Sequence, residues 1–180
     1  INRVGISPLN AEFAQIDAIR NSSDLQKIIT QLHQQRVNIL FSFGSMQDFK
    51  DSTKMIGAFM QGGLGLPNRD YYLKKDEKFK KIREAYVNHI AKMFELLGDK
   101  ADKASHEAKI VMDIETKLAE ASMSEIEQRD PHAIYNMRTL VDLDKEFANI
   151  SWSYYLQSLG QEQIQSVNLA MPNFFKTVNE

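Results

Sequence analysis

The chain has no cysteine among its 180 residues, so neither a disulfide nor a thiolate metal site can form in it. It has no apolar run of about 18 residues, the length that a helix needs to cross a bilayer. It also lacks an excess of basic residues: the net charge of −2 gives no footprint for nucleic acid and no polybasic membrane patch. We therefore predict neither a disulfide scaffold, nor a membrane-spanning segment, nor a nucleic-acid partner.

What the chain does contain is ordinary for a globular domain. Hydrophobic residues make up 43% and charged residues 26% of the sequence. A chain of 20.7 kDa can bury a sizeable core. No internal repeat, low-complexity tract or linker divides it, so one domain is the natural interpretation.

Helical periodicity dominates the sequence and predicts a mainly α fold, a multi-helix lobe. The longest helix is predicted from Asp76 to Leu97, where apolar residues recur every three or four positions and Gly98 ends the pattern. Asp102 is expected to cap a second long helix that ends near Ser122. Shorter helices are predicted after Ser7-Pro8, after Ser22 or Ser23, after Asp130-Pro131, over residues 140–147 with Thr139 and Asp142 as a capping box, over residues 152–159 after Ser151, and from Pro172 onward.

Strand patterns are few. Ile39, Phe41 and Phe43 alternate with other residues, which predicts a strand over residues 38–45. Its hairpin partner is predicted over residues 54–61, although residues 55–60 also fit a helix. A further short strand is predicted near residues 164–169. The helix that begins at Pro172 bears Phe174 and Phe175 with no later partner in the sequence, so we expect an exposed apolar patch there that promotes self-association or disorder.

Residues 61–73, Q-G-G-L-G-L-P-N-R-D-Y-Y-L, form the most distinctive segment. Three glycines and a proline within seven positions predict tight turns, with Leu64 and Leu66 pointing inward. The polar groups that follow, Asn68, Arg69 and Asp70, suit local hydrogen bonds or a local ion pair better than substrate contact. The residues alone therefore predict an ordered structural loop, which we call the signature loop.

The sequence contains no complete zinc-binding motif. Zinc peptidases of one large class use H-E-x-x-H on a helix, because histidines four residues apart project onto a single ion. The nearest approach is His106-Glu107-Ala108-Lys109-Ile110, where isoleucine occupies the second ligand position. Glu95 and Asp99 fit an E-x-x-x-D spacing only by accident, since they precede His106 and a helix end intervenes. No metal ligand is predicted in this chain.

The remaining polar and aromatic candidates have structural interpretations. The four histidines lie on separate predicted elements without ligand spacing, so we interpret them as surface or partly packed residues: His33, His89, His106 and His132. Arg129-Asp130 is explained by helix capping. The lysines at positions 74, 75, 78, 80 and 81 suit a solvated helix face. Trp152, Tyr154 and Tyr155 are expected in the core.

The signature loop closely resembles the L-G-L-P-x-R-D-Y-Y motif in the non-catalytic lobe of neprilysin-type zinc metallopeptidases. Further segments resemble the same family in the same order: residues 40–54, residues 113–122, residues 128–140, Ser151-Trp152 and residues 167–175. The resemblance extends over almost the whole chain. Animal members are disulfide-bonded, so the absence of cysteine points to a bacterial member similar to oligopeptidase O.

The resemblance implies that the full-length protein is a zinc-dependent endopeptidase that cleaves oligopeptides with a zinc-activated water and a glutamate general base. It implies that residues 1–180 belong to the helical lobe, which encloses the cleft and restricts substrate size, and that the zinc-bearing catalytic lobe lies elsewhere. The implied partners are oligopeptide substrates and that catalytic lobe. No catalytic, substrate-binding or metal-binding role is transferred to any residue here.

Both ends suggest an excerpt, since Ile1 is not an initiator methionine and the last helix has barely two turns. An alternative hypothesis stays open: a non-catalytic helical interaction module derived from the same lobe. A periplasmic or secreted location is expected for the full-length protein, with the cytoplasm as the alternative.

Overall fold

The computed structural model describes residues 5–180, in which helices predominate. A single 3-10 turn, Ser7–Leu9, precedes the first helix, and a second, Glu127–Arg129, follows the fifth. The α-helices are α1 (Asn10–Asp17), α2 (Ser22–Gln34), α3 (Asp70–Leu73), α4 (Glu77–Leu96), α5 (Ala101–Ala121), α6 (Leu140–Glu146), α7 (Trp152–Ser158) and α8 (Pro172–Asn179). The predicted mainly α fold is confirmed.

Within the described part of the chain, four short strands form one mixed sheet: β1 (Phe41–Gln47), β2 (Met55–Gln61), β3 (Met137–Thr139) and β4 (Ser166–Leu169). Their order across the sheet is β1-β2-β4-β3. The hairpin β1–β2 is antiparallel, with Phe43 opposite Phe59. Strand β4 runs parallel to β2 and antiparallel to β3, so it joins the hairpin to the second half of the chain.

One aromatic-rich core lies between the sheet and the helices α2, α7 and α8. Its centre is Phe59, whose ring lies 4.8 Å from Trp152 and 5.5 Å from Tyr155, centroid to centroid. Phe41 joins the same cluster through Phe175 at 5.6 Å. Such edge-to-face and tilted pairs add specific geometry to the apolar burial, which is the main stabilising term.

The prediction of an exposed C-terminal patch is wrong. Phe174 and Phe175 are both 0% exposed, because α8 packs against the sheet and against α5. Their rings contact each other at 5.5 Å, and Phe175 also contacts Trp152 at 5.8 Å. The aromatic partners of Phe175 outside the helix are Phe41, Phe59 and Trp152, which all precede α8, so residues earlier in the chain bury its aromatic face.

Several predicted boundaries also change. The first strand begins at Phe41 and not at residue 38, because Leu40 adopts a left-handed backbone with φ 57°, which no strand tolerates. Residues 55–60 are a strand, which resolves that alternative. Strand β3 was not predicted; its three residues lie between the short helical turn predicted after Asp130-Pro131 and the helix predicted over residues 140–147.

Some of the predicted helix caps are confirmed and others differ from the prediction. Thr139 caps α6 as predicted, accepting a hydrogen bond from Asp142 N–H at 3.2 Å. The cap of α2 is Asn21 and not Ser22 or Ser23, since Asn21 Oδ1 accepts from Asp24 N–H at 3.0 Å. Helix α5 begins at Ala101, so Asp102 lies inside its first turn, where a carboxylate favours the helix dipole without capping it.

Candidate functional site

The signature loop leaves β2 and leads through two sharp turns into α3. Gly63 has φ 76°, and a Cβ at this position would lie 2.6 Å from the backbone of Leu40. The positive φ angle of Gly63 and the close approach of the Leu40 backbone both require glycine at this position. Leu64 is half-buried and packs against the edge of the aromatic core, and Leu66 is also half-buried. The loop is therefore held at its start by backbone contact and apolar packing.

Gly65 lets the loop approach α4 closely. A Cβ on Gly65 would fall 1.8 Å from the Tyr86 hydroxyl oxygen, well inside any real contact distance. Tyr86 lies in the middle of α4, so the missing side chain is what allows the loop to cross this helix. Glycine is therefore required at position 65 because a larger side chain would overlap Tyr86, and not because of a positive φ angle.

Glu115 on α5 fixes the loop by accepting three hydrogen bonds. Its Oε2 accepts from the Tyr72 hydroxyl at 2.5 Å and from Gly65 N–H at 3.3 Å, and its Oε1 accepts from the Tyr86 hydroxyl at 2.9 Å. The Tyr72 oxygen in turn accepts from Leu66 N–H at 2.8 Å. We call Glu115, Tyr72 and Tyr86 the carboxylate clip.

Burial and the carboxylate together raise the pKa of both tyrosines in the clip. For Tyr72 and Tyr86 burial is the larger cause, and the hydrogen bond to Glu115 is the second. Both hydroxyls therefore remain protonated donors through the physiological range. The clip connects α3, α4 and α5 through side chains that hold one charge in place, which is a structural arrangement and offers no nucleophile.

The polar residues that follow in the loop are also used locally. Arg69 Nε donates to the carbonyl of Ala119 at 3.2 Å, near the C-terminal end of α5, where a cation is favourable. Asp70 forms an ion pair with Lys74 at 2.8 Å, and Asn68 Oδ1 accepts from Asp70 N–H at 3.0 Å. These contacts agree with the predicted turn-fixing role.

A cleft of about 600 Å³ separates the signature loop from the segment after α5. Gln61 spans its end, donating from Nε2 to Met123 C=O at 3.0 Å and accepting from Met123 N–H at 2.7 Å. Asn68 Nδ2 donates to Glu125 across the cleft at 2.9 Å. The lining combines amide, backbone and charged hydrogen-bonding groups with apolar side chains such as those of Leu66 and Ile126, so it suits mixed contact with another surface.

The described residues 5–180 include no group of three or more histidine, cysteine, aspartate or glutamate side chains arranged for a metal ion. His106 is exposed and Ile110, in the second ligand position of the zinc motif, is 44% exposed on the same helix. The residues present therefore do not fit zinc. Within the same part of the chain, no helix has the length and hydropathy of a transmembrane segment.

The other residues considered in the sequence are divided by the structure into exposed residues and core residues. His89 and His132 are exposed, as are the lysines of the 74–81 segment and Arg129. Trp152 and Tyr155 are in the core as predicted, whereas Tyr154 is 39% exposed, so its assignment to the core was wrong. The helical turn predicted after Asp130-Pro131 is a hydrogen-bonded turn without helix, in which Asp130 Oδ1 accepts from His132 N–H at 2.9 Å.

His33 is the one histidine with buried partners among the described residues. Its Nδ1 lies 2.8 Å from the Tyr155 hydroxyl and its Nε2 lies 2.8 Å from the carbonyl oxygen of Ile39. A neutral ring satisfies both contacts by donating from Nε2 and accepting at Nδ1. Desolvation by burial lowers the pKa of His33, although the bond to Ile39 opposes that shift. The ring therefore has a structural role between α2 and α7.

The carboxylate clip was not predicted from the sequence. Glu115 lies inside residues 113–122, a segment already singled out, and Tyr72 belongs to the signature loop. The pattern of each segment gives no sign that their side chains meet, because they are 43 positions apart. A tyrosine pair followed by a half-buried helical glutamate is too common a combination to indicate contact.

The chain belongs to peptidase family M13, since the model of the family's N-terminal region matches residues 1–180. Among curated relatives, endothelin-converting enzyme-like 1 of Mus musculus is 32% identical over 146 residues, which cover 78% of this chain and 19% of that protein. Human endothelin-converting enzyme 1 is 31% identical over 140 residues, or 77% of this chain and 18% of that protein. The chain thus spans about a fifth of the length of these relatives.

Solved structures give the same family. The crystal structure of the Mycobacterium tuberculosis zinc metalloprotease Zmp1 with an inhibitor superposes with a TM-score of 0.92 at 31% identity, covering 99% of this chain and 27% of that one. PepO from Lactobacillus rhamnosis HN001 superposes with a TM-score of 0.74 at 14% identity, which shows the shared fold. Zmp1 is a zinc metalloprotease by name, so this likeness favours the peptidase hypothesis over the interaction module.

Proposed function

We propose that the full-length protein containing this chain is a zinc-dependent endopeptidase acting on oligopeptides. The observation that supports this best is the match of the whole chain to the M13 family, together with its superposition on a zinc metalloprotease over 99% of its length. The zinc belongs to a catalytic domain outside these residues, since the residues present do not fit the ion.

Within that protein, residues 1–180 form part of the helical lobe that encloses the cleft and restricts substrate size. The carboxylate clip supports this role, because a wall that excludes large substrates has to keep its shape. Glu115 holds the signature loop against α4 and α5 through three hydrogen bonds. The cleft beside the loop, with its polar and apolar lining, is a suitable surface for contact with the catalytic lobe.

We further propose a bacterial source and a periplasmic or secreted location for the full-length protein. The absence of cysteine and the 31% identity to Zmp1 of Mycobacterium tuberculosis support the source. Self-association of the isolated chain also stays a prediction, although Phe174 and Phe175 are not available for it. Separation of cell fractions followed by immunodetection tests the location, and a protein confined to the cytosol would contradict it.

The function is tested on the full-length enzyme with fluorogenic peptides of graded length and one folded protein. We expect cleavage of short peptides, loss of cleavage with a zinc chelator, and no cleavage of the folded protein. Glu115→Ala should loosen the wall and extend cleavage to longer peptides. Glu120→Ala, on the exposed side of the same helix, is the matched control and should leave the length limit unchanged. Absence of any zinc-dependent cleavage would contradict the proposal.

A further inference from the structure

Strand β1 lies at one edge of the sheet, with β2 beside it and no other described strand on its outer side. In an antiparallel ladder the backbone N–H and C=O groups of successive residues face alternately toward and away from the neighbouring strand. The hydrogen bond from Asp48 N–H to Lys54 C=O, just beyond the strand ends, shows that the backbone of Asp48 faces the β2 side. Counting back in register, the residues whose backbone groups face β2 are Ser42, Gly44 and Met46. Those whose N–H and C=O groups face outward are Phe43, Ser45 and Gln47.

A second hydrogen bond gives the same alternation independently. Ala170 N–H donates to Phe59 C=O at 3.0 Å, so the backbone of Phe59 faces β4 and not β1. Phe59 is the register partner of Phe43. In an antiparallel ladder the backbone groups of two register partners either face each other or both face away. Because the backbone of Phe59 faces away from β1, the backbone of Phe43 faces away from β2, toward the outer edge.

Three features by which proteins block strand addition, namely a charge, a proline and a bulge, are absent from this edge. The sequence of β1, F-S-F-G-S-M-Q, contains no charged residue and no proline, and its register with β2 is continuous without a bulge. Ser45 and Gln47 are exposed. A Cβ on Gly44 would meet no atom within 4 Å, so the opposite face of the strand is also open at this point.

A cleft of about 680 Å³ lies on the sheet face beside the same edge. Ser45 and its register partner Gly57 form part of its floor, and Ile164 lies on the wall that follows α7. Among the described residues none that lines the cleft is charged; the polar groups on that wall are the amides of Gln161, Gln163 and Gln165 and the hydroxyl of Ser166. Because side chains alternate along a strand, every second residue of an added strand would lie on this face.

We propose that the outer edge of β1 binds an extended, uncharged peptide segment by β-strand addition. The outward N–H and C=O groups of Phe43, Ser45 and Gln47 pair with the peptide backbone, and alternate peptide side chains enter the neutral cleft. The lobe would then bind peptide directly, in addition to limiting its size. This proposal needs only β1 and the cleft, so it stands or fails separately from the peptidase activity.

The test is residue-resolved amide exchange on the chain with a capped probe peptide of alternating valine and threonine, as long as β1. We expect the amides of Phe43, Ser45 and Gln47 to exchange several-fold more slowly with peptide. The amides of Gly44 and Met46, which already face β2, should not change. A probe of the same sequence N-methylated at every residue has no pairing donor on either edge and should give no protection.

Two substitutions at one position separate backbone pairing from side-chain contact. Ser45→Pro removes an outward N–H and leaves the ladder to β2 intact, so it should abolish protection. Ser45→Ala keeps the backbone and should bind the probe as the parent chain does. If Ser45→Pro is unfolded by circular dichroism, Ser45→Lys replaces it, since a charge at an edge opposes strand addition.

Three results would overturn the proposal. The first is no protection of the outward amides by the probe, and the second is equal binding by Ser45→Pro, or its Ser45→Lys replacement, and Ser45→Ala. The third is protection that grows with the concentration of the chain alone, without probe, because a second copy would then be the occupant of the edge. Sedimentation at the same concentrations identifies that third outcome directly.

Discussion

Glu115 is the single residue on which the position of the signature loop depends most. Replacing it with alanine removes the acceptor for Tyr72, Tyr86 and the amide of Gly65. Hydrogen bonds to a charged group contribute about 1.5–3 kcal/mol each at most, and the three share one carboxylate. We expect Glu115→Ala to lower the free energy of unfolding by about 2–3 kcal/mol, measured by urea denaturation.

The matched control for this loss is Glu120→Ala. Glu120 is exposed on the same helix, so its removal should change stability by less than about 0.5 kcal/mol. Equal stability of the two variants would show that the clip does not hold the loop.

Gly65 gives a second prediction at a single position. Gly65→Ala should destabilise the chain by about 1–3 kcal/mol, because the new methyl group overlaps the Tyr86 hydroxyl. Introducing the same change into a Tyr86→Phe background removes the nearest atom and should reduce the penalty, which a double-mutant cycle measures. Gly44→Ala is the control, since nothing lies within 4 Å of its added methyl. No coupling between positions 65 and 86 would contradict this interpretation.

His33 predicts how stability changes with pH. Burial lowers its pKa in the folded chain below the ordinary value of 6.5, so the unfolded chain binds the proton more readily. The stabilising contribution is complete above pH 6.5 and is lost as the pH falls from there to the lowered folded value. Urea titrations across this range should show stability falling with acidity, and His33→Gln should fall less. Identical slopes for the two chains would exclude His33 as the cause.

Among the helices, α8 makes the clearest prediction, because its aromatic face was expected to be exposed and is instead buried. Phe175→Ala should cost about 3–5 kcal/mol, since Phe175 is 0% exposed between Phe41, Phe59 and Trp152. Phe49, which is 48% exposed on the hairpin, is the control and should tolerate alanine. A thermal melt that Phe175→Ala leaves unchanged would mean that α8 is detached from the core.

The sequence predicts helices α4 and α5 and strand β1 well, because each has a strong local period, whereas residues 55–60 fit both a strand and a helix. The sequence does not predict the features that depend on contacts between residues far apart in the chain. Three-residue β3 has too few residues for a period and exists because β4 pairs with it. The burial of Phe175 and the carboxylate clip both require partners more than 20 positions distant, for which a single sequence contains no sign.

For the whole molecule, we expect the isolated chain to be inactive and free of stoichiometric zinc. The described residues 5–180 offer no cluster of three metal-ligating side chains, and Ile110 replaces the second histidine of the zinc motif. Metal analysis after dialysis against zinc, combined with a peptide-cleavage assay, tests this directly. One tightly bound ion per chain, whose removal by chelator abolishes cleavage, would contradict it.

The parallel pairing of β2 with β4 determines the order in which the molecule can assemble during translation. The hairpin β1–β2 can form as soon as Gln61 is synthesised, but Ser166 follows about a hundred residues later. At roughly 5–20 residues per second, the inner edge of β2 waits about 5–20 s for its neighbour. For most of that interval the apolar surface of Phe59 lacks α7, and for all of it the surface lacks α8. A nascent chain stalled before β4 should therefore bind chaperones that recognise exposed apolar strands, and one stalled beyond α8 should release them.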